Sequence, residues 1–349
     1  MKEITIPKDG KLLLIKPSSM GDIIQAFPFV TTIANERPDI KIDWIANEYY
    51  VELVRLNKNV RNLLTFRRSS FLELLSIEEL KKLIEFAQSI KADKYDIVVD
   101  LQGLARSGLM TLIARSNFKI GYSNARECSS YSYDLKVNPI ANSLDVDRYL
   151  SILSYLNISL PSEVDWGIKI PQNEIEAAAN LTSNQPYIVM NPNSRWASKQ
   201  WPIEKFEALA DMINDKFNFK IVLIGSQFDI TTVQKFNPRT AANIIDLTGK
   251  TSFALLAAIL KESKLLITAD SGPMHLGVAV KVKVVSLFGP TNPQLTGPYN
   301  NKDGVISVDC KLAPCYKRKC PIELNCLDAI EVASVFEKVN SLLAQVSDC

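Results

Sequence analysis

Along most of the chain, short unbroken apolar runs alternate with longer stretches whose apolar residues recur at helical spacing. In the first half this pattern predicts strands at 11–16, 41–45, 97–100 and 119–122. Helices are predicted at 22–35, 77–90, 104–114 and 146–156. A strand buried on both faces reads as a continuous apolar run, so the alternation predicts parallel sheets covered by helices.

The rhythm lapses over 157–186, where Asn157, Pro161, Pro171 and Pro186 break it, and a boundary is placed near 160–180. It then resumes, with strands predicted at 187–191, 220–225, 244–246, 265–268 and 283–288. The helices expected there are 203–217, 229–236, 252–261 and 274–280, and a last helical stretch runs over 327–346. The expected fold class is α/β, with two Rossmann-like lobes whose parallel sheets face each other across a cleft. The first lobe spans 1–165 and the second 180–326, and the helix within 327–349 is expected to pack back toward the first. There is no short-period repeat and no low-complexity tract.

Composition adjusts this picture in three ways. A chain of 349 residues with 47% apolar and 22% charged residues can bury two ordinary cores. A net charge of +2 gives no reason to expect whole-molecule nucleic-acid binding, so attraction for an anionic partner must come from local clusters. The start lacks a signal-peptide pattern, and no apolar run approaches the ~20 residues needed to span a bilayer. The expectation is a cytoplasmic protein, with any membrane contact peripheral. Of the six cysteines, Cys128 and Cys349 stand alone, while Cys310, Cys315, Cys320 and Cys326 crowd one segment. Their spacing is only marginally compatible with a zinc module, and thiols are the commoner cytoplasmic state.

Several strand ends carry polar or small-residue turns that open helices, the place where α/β proteins bind ligands. After the first strand, Asp22 reads either as a helix N-cap or as a general base toward a hydroxyl. The turn is neither the Rossmann glycine pattern nor a phosphate loop. At 270–275, Ser271 and Gly272 open a helix whose N-terminus suits a diphosphate, and His275, the only histidine, follows one turn later. Lys199 is a candidate cation for phosphate oxygens. Asp229, just after Gly225, stands where an acid binds ribose in nucleotide folds. A basic run without acids carries Arg55, Lys58, Arg61, Arg67 and Arg68. Its last two lie between Phe66 and Phe71, which suits an acidic lipid-linked sugar at a membrane surface.

Five motifs occur in order: Ser18-Ser-Met-Gly-Asp22, Asp100-Leu-Gln-Gly-Leu104, Lys199-Gln-Trp-Pro202, Asp270-Ser-Gly-Pro-Met-His275 and Phe288-Gly-Pro-Thr-Asn-Pro293. Together they resemble the ADP-heptose:lipopolysaccharide heptosyltransferases of the GT-B fold, over about residues 11–340. The opening motif, the strand at 42–45 and Arg67-Arg68 resemble heptosyltransferase I most, whereas the segment from Cys315 to Cys326 is closer to other members, including heptosyltransferase II. The resemblance implies inverting transfer of heptose from ADP-heptose to Kdo-lipid A at the cytoplasmic face of the inner membrane, without cofactor or metal. It implies Asp22 as catalytic base. Lys199, Asp229, Asp270, Ser271, Gly272 and His275 would bind the donor, with Asp229 replacing the family's longer glutamate. Arg67, Arg68 and Arg126 would meet the acidic acceptor. The rival readings are a transferase adding a later core sugar, a nucleotide-sugar epimerase of similar architecture, and a non-catalytic binding protein.

Overall fold

The computed structural model of the protein describes residues 4–67, 76–320 and 326–344. Its compact units are Met1–Lys169 and Ile170–Cys349. The first is built on β1 (Lys11–Ile15), β2 (Lys41–Asn47), β3 (Asn62–Phe66), β4 (Lys94–Asp100), β5 (Arg115–Tyr122) and β6 (Leu135–Val137). They form one parallel sheet in the order β3-β2-β1-β4-β5-β6. The second unit has β7 (Tyr187–Asn191), β8 (Lys220–Leu223), β9 (Ile244–Asp246), β10 (Leu266–Ala269), β11 (Val284–Phe288) and β12 (Val305–Ser307). Its parallel order is β12-β11-β10-β7-β8-β9.

Both sheets therefore follow the Rossmann pattern, the α/β fold class expected of a GT-B transferase. In each unit the first strand is central, and its order reverses toward the fourth. That reversal opens a crevice at the carboxyl ends of the strands. Leu12, Leu13, Leu14 and Ile15 are wholly buried, and Ile188, Val189 and Met190 play the same part in the second sheet. In the first unit the helix Met20–Glu36 leaves the crevice and buries Ile23, Ile24, Phe27 and Val30.

Several elements differ from expectation. The strands β3, β6 and β12 were not foreseen, and each lies at a sheet edge. Two have only three residues and the third is half-buried, so none presents a continuous apolar run. Within the expected linker, Gln172–Leu181 is a helix packed on the helix Phe253–Glu262. Pro171 sits at its N-cap, so the proline starts a helix there rather than breaking one. The C-terminal helix, Val332–Ala344, is packed within the second unit. It puts Val335, Val339, Leu342 and Leu343 into the core of the second unit, beside Phe206, Leu209 and Ile213.

Candidate functional site

In the first unit, the chain leaves β1 through Lys16 and turns into the helix Met20–Glu36. Ser19, not Asp22, is the N-cap, which corrects one of the two readings of the aspartate. Asp22 stands at the third helical position and closes a capping box: its Oδ2 accepts from the Ser19 N–H at 3.0 Å and from the Ser19 hydroxyl. Its Oδ1 accepts from Lys16 Nζ at 3.3 Å. Lys16 is 2% exposed, whereas the Asp22 side chain is 33% exposed. The pair thus presents its carboxylate outward and hides its cation. The ammonium also donates to the Leu101 carbonyl at 3.4 Å and lies 5.3 Å from the Tyr149 ring centroid. The Trp44 indole N–H, on β2, donates to the Lys16 carbonyl at 3.0 Å and fixes that backbone.

Burial pushes the Asp22 carboxyl toward its neutral form, but the Lys16 charge and the Ser19 hydrogen bonds outweigh it. The net effect holds the group below the usual carboxylate value. Asp22 is therefore an ionised, partly open proton acceptor at neutral pH. Lys16 was not singled out from sequence, although an amphipathic cation ending an apolar strand was a visible signal. Arg148 and Tyr149, on the helix Asp145–Leu150, were missed as well. The Arg148 Nε and the Tyr149 hydroxyl are buried and lack partners among the described residues.

The other motif at this edge is structural. Asp100, at the end of β4, is fully buried; its Oδ1 accepts from the Gln102 and Gly103 N–H groups at 2.8 and 3.1 Å. Its Oδ2 accepts from the Tyr133 hydroxyl at 2.7 Å. The Gly103 carbonyl then accepts from the Arg126 N–H at 2.9 Å, so the motif sets the backbone that carries Arg126. Arg126 is exposed after β5, and Arg67 is exposed directly after β3. Each lies two strands from β1 on opposite sides, roughly 10 Å at ordinary strand spacing. Arg67 Nε lies 3.7 Å from Glu48 Oε1. Arg68 falls outside the described residues. Arg61 is tied instead to the buried Asp43 carboxylate, at 2.8 and 2.5 Å, and covers it from the surface.

In the second unit, Lys199 follows β7 and Asp270 follows β10, the adjacent strand. Lys199 Nζ donates to Asp270 Oδ2 at 2.6 Å and stands 4.6 Å from the Trp196 ring centroid. The same Oδ2 accepts from the Thr291 hydroxyl at 2.7 Å and the Thr296 hydroxyl at 3.3 Å, both on the segment after β11. Three strand ends are thus drawn onto one carboxylate oxygen. Ser271 caps the helix Gly272–Ala279; its hydroxyl lies 2.9 Å from that of Thr268 and accepts from the Asn191 amide at 3.2 Å. The first N–H groups of a helix have no partner within it and favour an anion. His275 is buried on that helix. Asp229 lies on the turn after β8, where its Oδ2 accepts from the Ser226 N–H and hydroxyl at 2.7 and 2.6 Å. This is the same Ser-x-x-Asp arrangement that holds Asp22.

The cysteine segment is stitched to these loops. The Ser198 hydroxyl, beside Lys199, donates to the Lys317 carbonyl at 2.6 Å, and the Tyr316 N–H donates to the Pro290 carbonyl at 2.8 Å. Cys310, Cys315, Cys320 and Cys326 form no disulfide, and burial together with the Cys320 thiol pushes Cys326 up to about 11. Among the described residues no group of three or more His, Cys, Asp or Glu is arranged to hold a metal ion. Among them, too, no helix is long and apolar enough to cross a membrane.

Comparison with known proteins agrees with this arrangement. The lipopolysaccharide heptosyltransferase 1 of Pseudomonas aeruginosa is 28% identical over 321 residues, covering 89% of this chain and 87% of that protein. A family 9 glycosyl transferase from Veillonella parvula superposes with a TM-score of 0.82 at 22% identity, covering 99% of this chain and 100% of that one. The Escherichia coli ADP-heptose lps heptosyltransferase II superposes at 0.78 with 23% identity, covering 97% and 99%. These superpositions carry the fold. A sequence model of glycosyltransferase family 9 (heptosyltransferase) matches residues 83–325, well over half the chain, and the protein belongs to that family.

Proposed function

We propose that this glycosyltransferase moves heptose from ADP-heptose onto the Kdo residue of Kdo-lipid A, with inversion at the anomeric carbon. The observation that carries the proposal is Asp22: an ionised carboxylate, one-third exposed, braced from behind by buried Lys16 at the carboxyl end of the central strand. The similarity to a relative named lipopolysaccharide heptosyltransferase 1, over most of both chains, supports the choice of donor and acceptor. The five ordered motifs support it too.

In this reading the acceptor hydroxyl gives its proton to Asp22 as its oxygen bonds to the anomeric carbon. The bond from that carbon to the diphosphate breaks, and its electron pair leaves with ADP. Lys199 and the N–H groups of Ser271 and Gly272 meet the charge that develops on the diphosphate. An ammonium has three donors, and only one is directed at Asp270, so Lys199 can serve both. Asp229 accepts from the donor ribose, while Asp270 and His275 border the donor sugar and diphosphate. Arg67, Arg68 and Arg126 take the carboxylate and phosphate groups of the acceptor, for which arginine's planar fork is suited. The enzyme works from the cytoplasmic face of the inner membrane, where its lipid-linked acceptor lies.

The test is transfer from ADP-heptose to Kdo-lipid A against already heptosylated Kdo-lipid A. Product on the first acceptor alone is expected. Product on the second alone would make the enzyme a later transferase, as heptosyltransferase II is. Conversion of ADP-heptose without any acceptor would point to an epimerase instead.

A further inference from the structure

Two neighbouring helices of the first unit are apolar on both sides. The helices Ile77–Ala92 and Ala105–Ile113 lie side by side and send Phe86, Ile90, Met110 and Ile113 onto Leu13, Ile15 and Ile45 of the sheet. A surface helix whose apolar stripe faces the core in this way is expected to be polar outside. These two are not. Ile77, Leu80 and Ile84 on the first helix, and Leu109 and Leu112 on the second, are each more than half exposed. Residues three and four positions apart are neighbours on a helix, so each set forms one outward stripe. Tyr131, which is 82% exposed, stands beside them on the turn Ser129–Ser132. That turn closes so tightly on the second helix that a side chain at Gly108 would come within 2.8 Å of Ser129 Cβ.

The rim of this face is basic. Lys119 Nζ donates to the Leu112 carbonyl at 3.1 Å, and Lys136 Nζ lies 5.4 Å from the Tyr131 ring centroid. The Arg106 guanidinium lies 5.9 Å from the Phe66 ring centroid, at the end of β3. Within 105–137 the only acids are Glu127 and Asp134, and each accepts a backbone N–H, from Ala105 at 3.0 Å and from Lys119 at 2.9 Å. On the first helix Glu78, Glu79 and Glu85 are paired with Lys81 and Lys82. The rim is thus net positive. Two copies joined through this face by a twofold axis would set the same cations against each other. An anionic phospholipid surface matches both features, because leucines enter the acyl boundary while lysines and arginines stay among the headgroups. We infer that the outward stripes of these two helices dock the enzyme on an anionic bilayer, a reading that rests on the lipid-linked acceptor proposed above. The face adjoins Arg67, directly after Phe66, and Arg126, both proposed to meet that acceptor.

Co-sedimentation of the full-length protein with phospholipid vesicles tests it. Binding to vesicles of mixed phosphatidylglycerol and phosphatidylcholine is expected, and roughly tenfold or more weaker binding to phosphatidylcholine alone. Combining Leu80→Gln, Leu109→Gln and Leu112→Gln exchanges exposed leucines for another good helix former, so the melting temperature should hold. That variant should lose vesicle binding roughly tenfold or more, yet keep full transfer to a soluble, acyl-free acceptor. Arg106→Gln with Lys136→Gln should weaken binding to the anionic vesicles only, about fivefold per cation removed, and added salt should mimic it. The inference is overturned if the unaltered protein ignores anionic vesicles, or if the leucine variant binds them undiminished. A dimer of the unaltered protein that the leucine variant dissolves overturns it too, by giving the face to a second copy. Vesicle binding that depends on the leucines, without transfer to Kdo-lipid A, would support the face and count against the acceptor.

Discussion

Lys16 Nζ lies 3.3 Å from Asp22 Oδ1, and it is the lysine that is buried and the aspartate that is open. The pair therefore presents a charged carboxylate with its counterion sealed behind it. Burial alone would favour the neutral acid; Lys16 and Ser19 reverse that and hold the group below its ordinary value of 3.8. Lys16→Met removes the strongest opposing influence, so the Asp22 pKa rises. The acid limb of the pH–rate profile should then move to higher pH, with the plateau rate reached later. The stability consequence has the same origin. In the native enzyme a depressed carboxyl adds stability above its unfolded value, which is lost as pH falls through the folded one. In the variant the depression shrinks, and the protein should lose less stability on acidification. An unmoved acid limb would mean that Asp22 is not the titrating base.

Replacement of Asp22 itself separates chemistry from binding. Asp22→Asn can keep the hydrogen bonds that close the helix start but cannot take a proton. A positioned base contributes about 10²–10⁴-fold, so kcat should fall by that range while ADP affinity, measured by calorimetry, stays within about twofold. Near-full turnover in this variant would remove Asp22 from the mechanism.

Much of this arrangement was readable before any coordinates, for a physical reason. Central strands of a doubly wound sheet are buried on both faces, so β1, β7 and β11 announce themselves as unbroken apolar runs, and the turns that follow them were visible as breaks. The edge strands β3 and β12 are half solvated and carry no such signal. Residue types that bear chemistry, such as Asp22, Lys199 and Asp270, could be picked out by their place after a strand. Their partners could not. The lysine behind Asp22 is six residues away and reads as the polar end of a strand. The hydroxyls of Thr291 and Thr296 reach Asp270 from a different strand end. Pairings across strand ends depend on sheet order, which periodicity does not encode. Arg61, in the same basic run as Arg67, neutralises the buried Asp43 on β2, a pairing that sequence order does not announce either.

The Lys199–Asp270 pair predicts opposite outcomes for its two members. If Lys199 meets the diphosphate as proposed, Lys199→Met removes a charge-assisted contact worth about 1.5–3 kcal/mol, so ADP should bind roughly 10- to 150-fold more weakly. Asp270→Asn keeps a hydrogen-bond acceptor for Thr291 but releases the lysine's charge toward the nucleotide. ADP should then bind at least as tightly as before while the transfer rate falls. Equal loss of ADP affinity in both variants would mean that the pair acts only as a brace.

A final prediction follows the chain of contacts that carries Arg126. A methyl group added at Gly121 would fall within the Tyr133 ring, so the ring must move. The Tyr133 hydroxyl is the partner of Asp100 Oδ2, Asp100 Oδ1 holds the Gly103 N–H, and the Gly103 carbonyl holds the Arg126 N–H. Gly121→Ala should therefore lower stability by about 1–3 kcal/mol, as overpacking does, and also loosen the loop that bears Arg126. Tyr133→Phe isolates the second effect, because it keeps the ring and removes only the hydrogen bond to Asp100. If Arg126 meets the acidic acceptor, Tyr133→Phe should raise the acceptor KM several-fold and leave ADP binding unchanged, since the residues proposed to hold the nucleotide all belong to the other unit. Arg126→Ala in the same background should then add little, because the two changes remove one interaction. Full additivity of the two would instead separate Arg126 from the Asp100 loop and leave that motif a purely structural part of the sheet edge.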